Sequence, residues 1–88
     1  MSKIEKKLDH WKHTKDPVIA DEIESVLNHY VPEKWTFHNT HYKITHPALV
    51  NHQHCNQHGD FFLNLHHNHG EHKDILHLVD VLEHIHKS

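Results

Sequence analysis

The sequence predicts a small α+β domain, a three-stranded antiparallel sheet with helices packed on one face and the other face open. Three observations carry this. Apolar residues recur at helical spacing over 17–30 and 72–87. They alternate with polar residues over 35–38, 41–45 and 61–66. Turn-forming residues separate these runs at Pro32, Asn39-Thr40, Pro47, Gly59 and 67–70. A chain of 88 residues suffices for one modest core.

Residues 2–15 read as a short, exposed helix. Ser2 and Glu5 have capping-box spacing, and Ile4, Leu8 and Trp11 lie on one stripe. Asp16-Pro17 restarts the chain, with Asp16 as N-cap and Pro17 in the first helical position. Ile19, Ile23, Val26, Leu27 and Tyr30 then mark a helix over 17–30, ended by Pro32. Trp35 and Phe37 alternate with Thr36 and His38; Tyr42 and Ile44 alternate with His41, Lys43 and Thr45. These are two strands joined by a tight turn at Asn39-Thr40. A polar loop follows over 48–59. Phe61, Leu63 and Leu65 then alternate with Phe62, Asn64 and His66 in a third strand. After a turn at 67–70, Ile75, Leu78, Val79, Leu82 and Ile85 define a helix over 72–87, with Asp74 and Lys87 suited to its dipole. The division is an N-terminal helical extension, 1–16, and a domain over 17–88.

Sixteen residues are histidine, nine are lysine and none is arginine. The net charge is −3 with histidine neutral, and full protonation would add sixteen positive charges. Affinity for polyanions should therefore rise in acid. Cys55 is the single cysteine, which excludes an internal disulfide. No apolar run reaches membrane-spanning length and no secretory apolar segment opens the chain. A cytoplasmic protein with no membrane partner is expected.

If the apolar positions of the strands face the helices, the open face shows Thr36, His38, His41, Lys43, Thr45, Phe62, Asn64 and His66. Lysine and imidazolium contact phosphate, and an aromatic ring stacks on a base. Lys43, His38 and Phe62 are thus candidate RNA contacts. The plainer account is an ordinary solvated face.

The other histidines fall into clusters. One is His52-x-His54-Cys55-x-x-His58, and another is His66-His67-x-His69-x-x-His72. Imidazoles beside a thiolate suit zinc, nickel or copper. His52, His54, Cys55, His58, His69 and His72 are the candidate ligands, although no Cys-x-x-Cys framework accompanies them. His77, Asp80 and His84 share a polar face of the last helix with Lys73 and Lys87, which a solvated face explains more simply. His10, His13, His29, His46 and His86 show no partner pattern.

The run His38-Asn39-Thr40-His41-Tyr42-Lys43-Ile44-Thr45-His46-Pro47 resembles the central motif of the HicA toxin family. In that motif a Gly-Ser-His-type turn precedes a hydrophobic residue, a basic residue and often His-Pro. Phe62-Leu63-Asn64-Leu65-His66-His67 resembles the family's third strand, and the helices over 17–30 and 72–87 stand where the family has its first and last. The resemblance covers about residues 19–86. Asn39 and Thr40 replace the usual glycine and serine, Leu65 stands where proline is common, and the helix over 2–15 is additional.

The resemblance implies a double-stranded-RNA-binding-domain-like α-β-β-β-α fold. It implies a metal-independent endoribonuclease acting on single-stranded RNA such as mRNA, neutralised by a HicB-like antitoxin. His41 matches the family's catalytic histidine. Strand geometry offers Lys43 to hold phosphate and His66 or His67 as a second proton shuttle. No cofactor is expected on this reading; zinc or nickel is expected on the metal-binding alternative. A non-catalytic RNA-binding module remains a further alternative, since fold does not fix function.

Overall fold

The structure is a computed structural model, and it describes residues 3–87. The elements in order are α1 (Lys3–His13), β1 (Val18–Ile19), α2 (Ala20–Tyr30), β2 (Trp35–His38), β3 (His41–Thr45), a 3-10 turn (Pro47–Leu49), β4 (Asp60–His66), β5 (His69–Gly70) and α3 (His72–Lys87). The sheet has five strands in the order β1-β5-β4-β3-β2, and every pairing is antiparallel.

The expected α+β class and the three central strands are present, but the sheet is wider than three strands. The reason lies in two short segments. His67 and Asn68 both have positive φ, 53° and 65°. Two such residues make the tight hairpin turn that matches strand twist. Histidine enters this left-handed region more readily than most residues. The turn folds His69-Gly70 back onto Leu65-His66 as β5. Val18-Ile19 then pairs with Gly70-His69 as β1, so the chain from Pro17 is extended and α2 starts at Ala20. Ile19, not Asp16, is the N-cap, and it makes no side-chain cap hydrogen bond. Val18 is buried, which is the gain that draws it out of the helix.

The core is almost wholly hydrocarbon. Ile23, Val26 and Leu27 from α2, Ile75, Leu78, Val79, Val81, Leu82 and Ile85 from α3, and Tyr42, Ile44, Phe61, Leu63 and Leu65 from the sheet form one cluster. Leu8 and Trp11 of α1 belong to the same cluster, so α1 is a packed helix rather than the exposed one expected. Lys12 of α1 ties it to Glu83 of α3 by an ion pair. Ser2 of the expected capping box lies outside the described residues. Tyr42 is fully buried beneath the sheet, and its hydroxyl donates to Glu24 at 2.7 Å. Burial and that carboxylate together push its pKa well above the usual phenol value.

Gly70 sits where α3 crosses the sheet. A Cβ there would lie 2.7 Å from Ile75 Cδ1, so the tips of the Ile75 and Ile23 side chains would have to turn aside. α2 and α3 pack on the inner face of the sheet and leave the outer face to the polar residues of the strands.

Candidate functional site

Register fixes the outer face, because directly opposed residues of an antiparallel pair point to the same side. Thr36, Lys43 and Phe62 form one row across β2, β3 and β4. His38, His41 and Asn64 form the next, and Thr45 with Asp60 lies on the far side of Lys43. His66 pairs with His69, which pairs with Ile19. The eight residues expected on this face are therefore all there; the two added strands bring His69 and Ile19 to the same side, and Asp60 joins them at the start of β4. Phe62 is half exposed at 50%.

Three rings form a ladder on this face. His38 and His41 are 6.0 Å apart between ring centroids, and His41 and Phe62 are also 6.0 Å apart. Lys43 lies directly across from Phe62 and two residues from His41, on the same side. The candidates His38, His41, Lys43 and Phe62 are thus brought together. His66 is one pair further along β4, diagonal to His41, a relation that sets such residues about 7–8 Å apart. Its Nε2 faces Glu71 Oε1 at 3.7 Å. His67 is held differently, in the left-handed turn, with its carbonyl oxygen 2.8 Å from the His69 ring.

A shallow groove opens along the same face beside Lys43. It is lined by Glu33, Lys34, Trp35, Thr36, Lys43 and Thr45. Lys34 had no sequence signal, since it lies in the α2–β2 connection, and only the fold places it in a groove with Lys43. Asp60 bounds the face beside Thr45, at the end opposite His66. Thr45 Oγ1 donates to Asp60 Oδ1 at 2.7 Å and Asn56 Nδ2 donates to Oδ2 at 3.2 Å, and these bonds hold its carboxyl below the usual range.

The candidate metal residues are dispersed between two places. His66 and His69 are on the sheet face, and His72 opens α3. His52, His54 and Cys55 lie in the β3–β4 loop, which docks on the polar face of α3. There His54 Nε2 is 3.3 Å and His52 Nε2 3.7 Å from Asp80 Oδ2, which also accepts from Gln53 Nε2 at 3.2 Å. The His54 and His77 rings stack at 4.2 Å, and the His52 and His84 rings meet edge-on at 4.7 Å. The loop cluster and the helix triad, separate in sequence, are therefore one junction. The His58 backbone N–H donates to Asn56 Oδ1 at 2.9 Å.

Hydrogen bonding assigns this junction a structural job. His52 Nδ1 accepts the backbone N–H of His54 at 3.1 Å. An imidazole that accepts at Nδ1 carries its proton on Nε2, so His52 closes a turn here rather than presenting a lone pair towards Asp80. Burial pushes the Cys55 thiol up to about 11, which keeps it protonated. Among the described residues no group of three or more His, Cys, Asp or Glu side chains is arranged to hold a metal ion. No described helix is long and apolar enough to cross a membrane.

Compared with protein-family profiles, with curated proteins and with solved structures, the chain matches none.

Proposed function

We propose that this chain is a HicA-like toxin that cleaves single-stranded RNA without a metal, and that a HicB-like antitoxin covers its open sheet. The observation that supports the reading is the outer face: an imidazole ladder, an exposed aromatic and an amine on adjacent strands with no helix over them. Phe62 and His38 offer stacking surfaces for bases, as sequence-tolerant single-strand binding requires. Lys43, with Lys34 across the groove, holds the phosphate.

RNA carries its own nucleophile. His41 takes the proton from the 2′-hydroxyl as its oxygen attacks the adjacent phosphorus. The bond from phosphorus to the 5′-oxygen breaks, and a second imidazole, His66, gives that oxygen its proton. Lys43 neutralises charge building on the non-bridging oxygens. The products are a 2′,3′-cyclic phosphate and a free 5′-hydroxyl. His67, fixed in the turn, is the alternative acid.

The experiment is incubation of the protein with single-stranded RNA in chelator. Cleavage to cyclic-phosphate ends that His41→Ala abolishes, in a variant folded by circular dichroism, supports the reading. RNA binding without cleavage points to a binding module instead. Cleavage that chelator stops points to a metal.

A further inference from the structure

We infer that β2 is a docking edge for a second copy of this chain, and that two copies join through antiparallel β2 strands into one continuous sheet. The pairing does not rest on the RNA reading; only its consequence for phosphate does.

Backbone parity shows which groups the edge leaves open. Thr45 N–H donates to the Lys34 carbonyl at 3.0 Å. Bonded and non-bonded residues alternate along an antiparallel pair, so Lys34, Thr36 and His38 turn their backbone groups towards β3. Trp35 and Phe37 turn theirs the other way, and β2 is the last strand of the sheet. Their N–H and C=O groups therefore face outward with no strand beside them. Sheets usually guard such an edge with charge, proline or a bulge. Trp35–His38 holds no lysine, acid or proline, and its register with β3 runs without a bulge. The opposite edge differs. β1 is two residues long and follows Pro17, which has no N–H to donate. β1 is thus too short to receive β2 head to tail, and the match left is β2 with itself, which closes as a two-fold dimer.

One register uses every open group. With Thr36 opposite Thr36 of the second copy, Trp35 lies opposite that copy's Phe37, and Phe37 opposite its Trp35. Each such pair exchanges two bonds, about four in all. Sliding the strands by two residues brings Glu33 or Asn39 into the ladder, and both have positive φ, 65° and 57°, outside strand geometry. The two-fold axis stands normal to the sheet, so the inner sides stay together. There Phe37, 47% exposed beside Tyr42, meets the second copy's Trp35, a ring held by Asn28 Oδ1 at 3.1 Å. Facing aromatic residues stabilise a strand pair. This match assigns the edge to a second copy: another protein would have to bring aromatic side chains that this chain already sets at the right positions. A four-residue edge is small beside a standard interface of about 1,600 Å². The association is therefore reversible, with a dissociation constant in the micromolar range.

On the outer face the join lengthens the rows across the strands. Lys34 of the second copy stands opposite His38, at the end of the row His38, His41 and Asn64. Thr36 of both copies continues the row of Lys43 and Phe62. On the RNA reading, the second copy thus adds a cation to the row of His41, and one strand of RNA runs across both copies.

Sedimentation equilibrium without RNA tests the pairing apart from cleavage. Between about 10 μM and about 1 mM the mass should climb from 10.5 kDa towards twice that value. Phe37→Lys, which puts a charge on the edge, should hold the mass at that of one chain throughout. Thr36→Cys in a Cys55→Ser background reads the register. The opposed Cα atoms at this pair are about 4.5 Å apart, within disulfide reach. His38→Cys is staggered from its mate beyond the limit of about 7 Å. In glutathione buffer Thr36→Cys should form the covalent dimer at least tenfold faster than His38→Cys, and this decides the matter should Phe37→Lys not fold. The mass of one chain at every concentration overturns the inference and leaves the edge to a strand of another protein. So does a dimer that Phe37→Lys, verified as folded, leaves intact, or equal cross-linking at positions 36 and 38.

Discussion

The outer sheet face and the loop–α3 junction use the same side chain for opposite ends. On the sheet, His38, His41, His66 and His69 project from regular strands, and their ring nitrogens engage the fold only through the His69 bond to the turn and the exposed His66–Glu71 pair. At the junction, His46, His52 and His84 each spend a ring nitrogen on a backbone group. The first set is free to meet a ligand because it is structurally idle. The second holds 14 residues of irregular chain in place and is not spare chemistry.

Substitutions should separate the two regions, and the largest effects on folding belong to the loop side. Leu49→Ala removes a fully buried side chain between the loop and α3, and should cost about 2–5 kcal/mol in denaturant unfolding. Gly59→Ala comes next. Gly59 has φ of 83°, and a Cβ there would sit 2.6 Å from the His46 carbonyl oxygen. Strain of this kind is worth about 1–3 kcal/mol, and protection at residues 46–50 should fall in hydrogen exchange. Tyr42→Phe removes the bond to Glu24 beneath the sheet and should cost roughly 1 kcal/mol without changing the outer face. Smallest of all on folding are His41→Ala and Phe62→Ala, which should stay within about 0.5 kcal/mol of the unaltered protein. If either unfolds the chain, the contrast between idle and working histidines fails at that position.

Acid sharpens the same contrast. The lowered values at His46 and His52 mean that the unfolded chain takes up protons first, so stability should decline as pH drops below about 6.5. Thermal melts at pH 7.5, 6.5 and 5.5 check this. The double His46→Asn, His52→Asn variant should flatten the decline.

Period-two alternation in 35–38, 41–45 and 61–66 was sufficient to assign the outer face, because a strand offers only two sides. The α3 stripe was equally legible, from Ile75 to Ile85. Phe37 shows where alternation stops helping. It lies on the inner side against Tyr42 at 4.7 Å, yet is 47% exposed because it belongs to an edge strand. The missed strands β1 and β5 are two residues each, too short to show a period, and β5 depends on a left-handed histidine that ordinary turn signals do not announce. Asp16-Pro17 reads as a helix start, but local capping lost to the burial of Val18. At the junction, spacing displayed two clusters, 52–58 and 77–84, and could not show that a loop would fold one onto the other. His46 had no partner pattern because its partner is a backbone amide, which sequence does not display.

The proposal for the sheet depends most on one imidazole. The direct test is the rate of single-stranded RNA cleavage in chelator for the unaltered chain and for His41→Ala, both verified as folded. The account predicts cleavage by the first, ending in cyclic phosphates, and none by the second. Equal rates in the two proteins, or no cleavage by either, would contradict it.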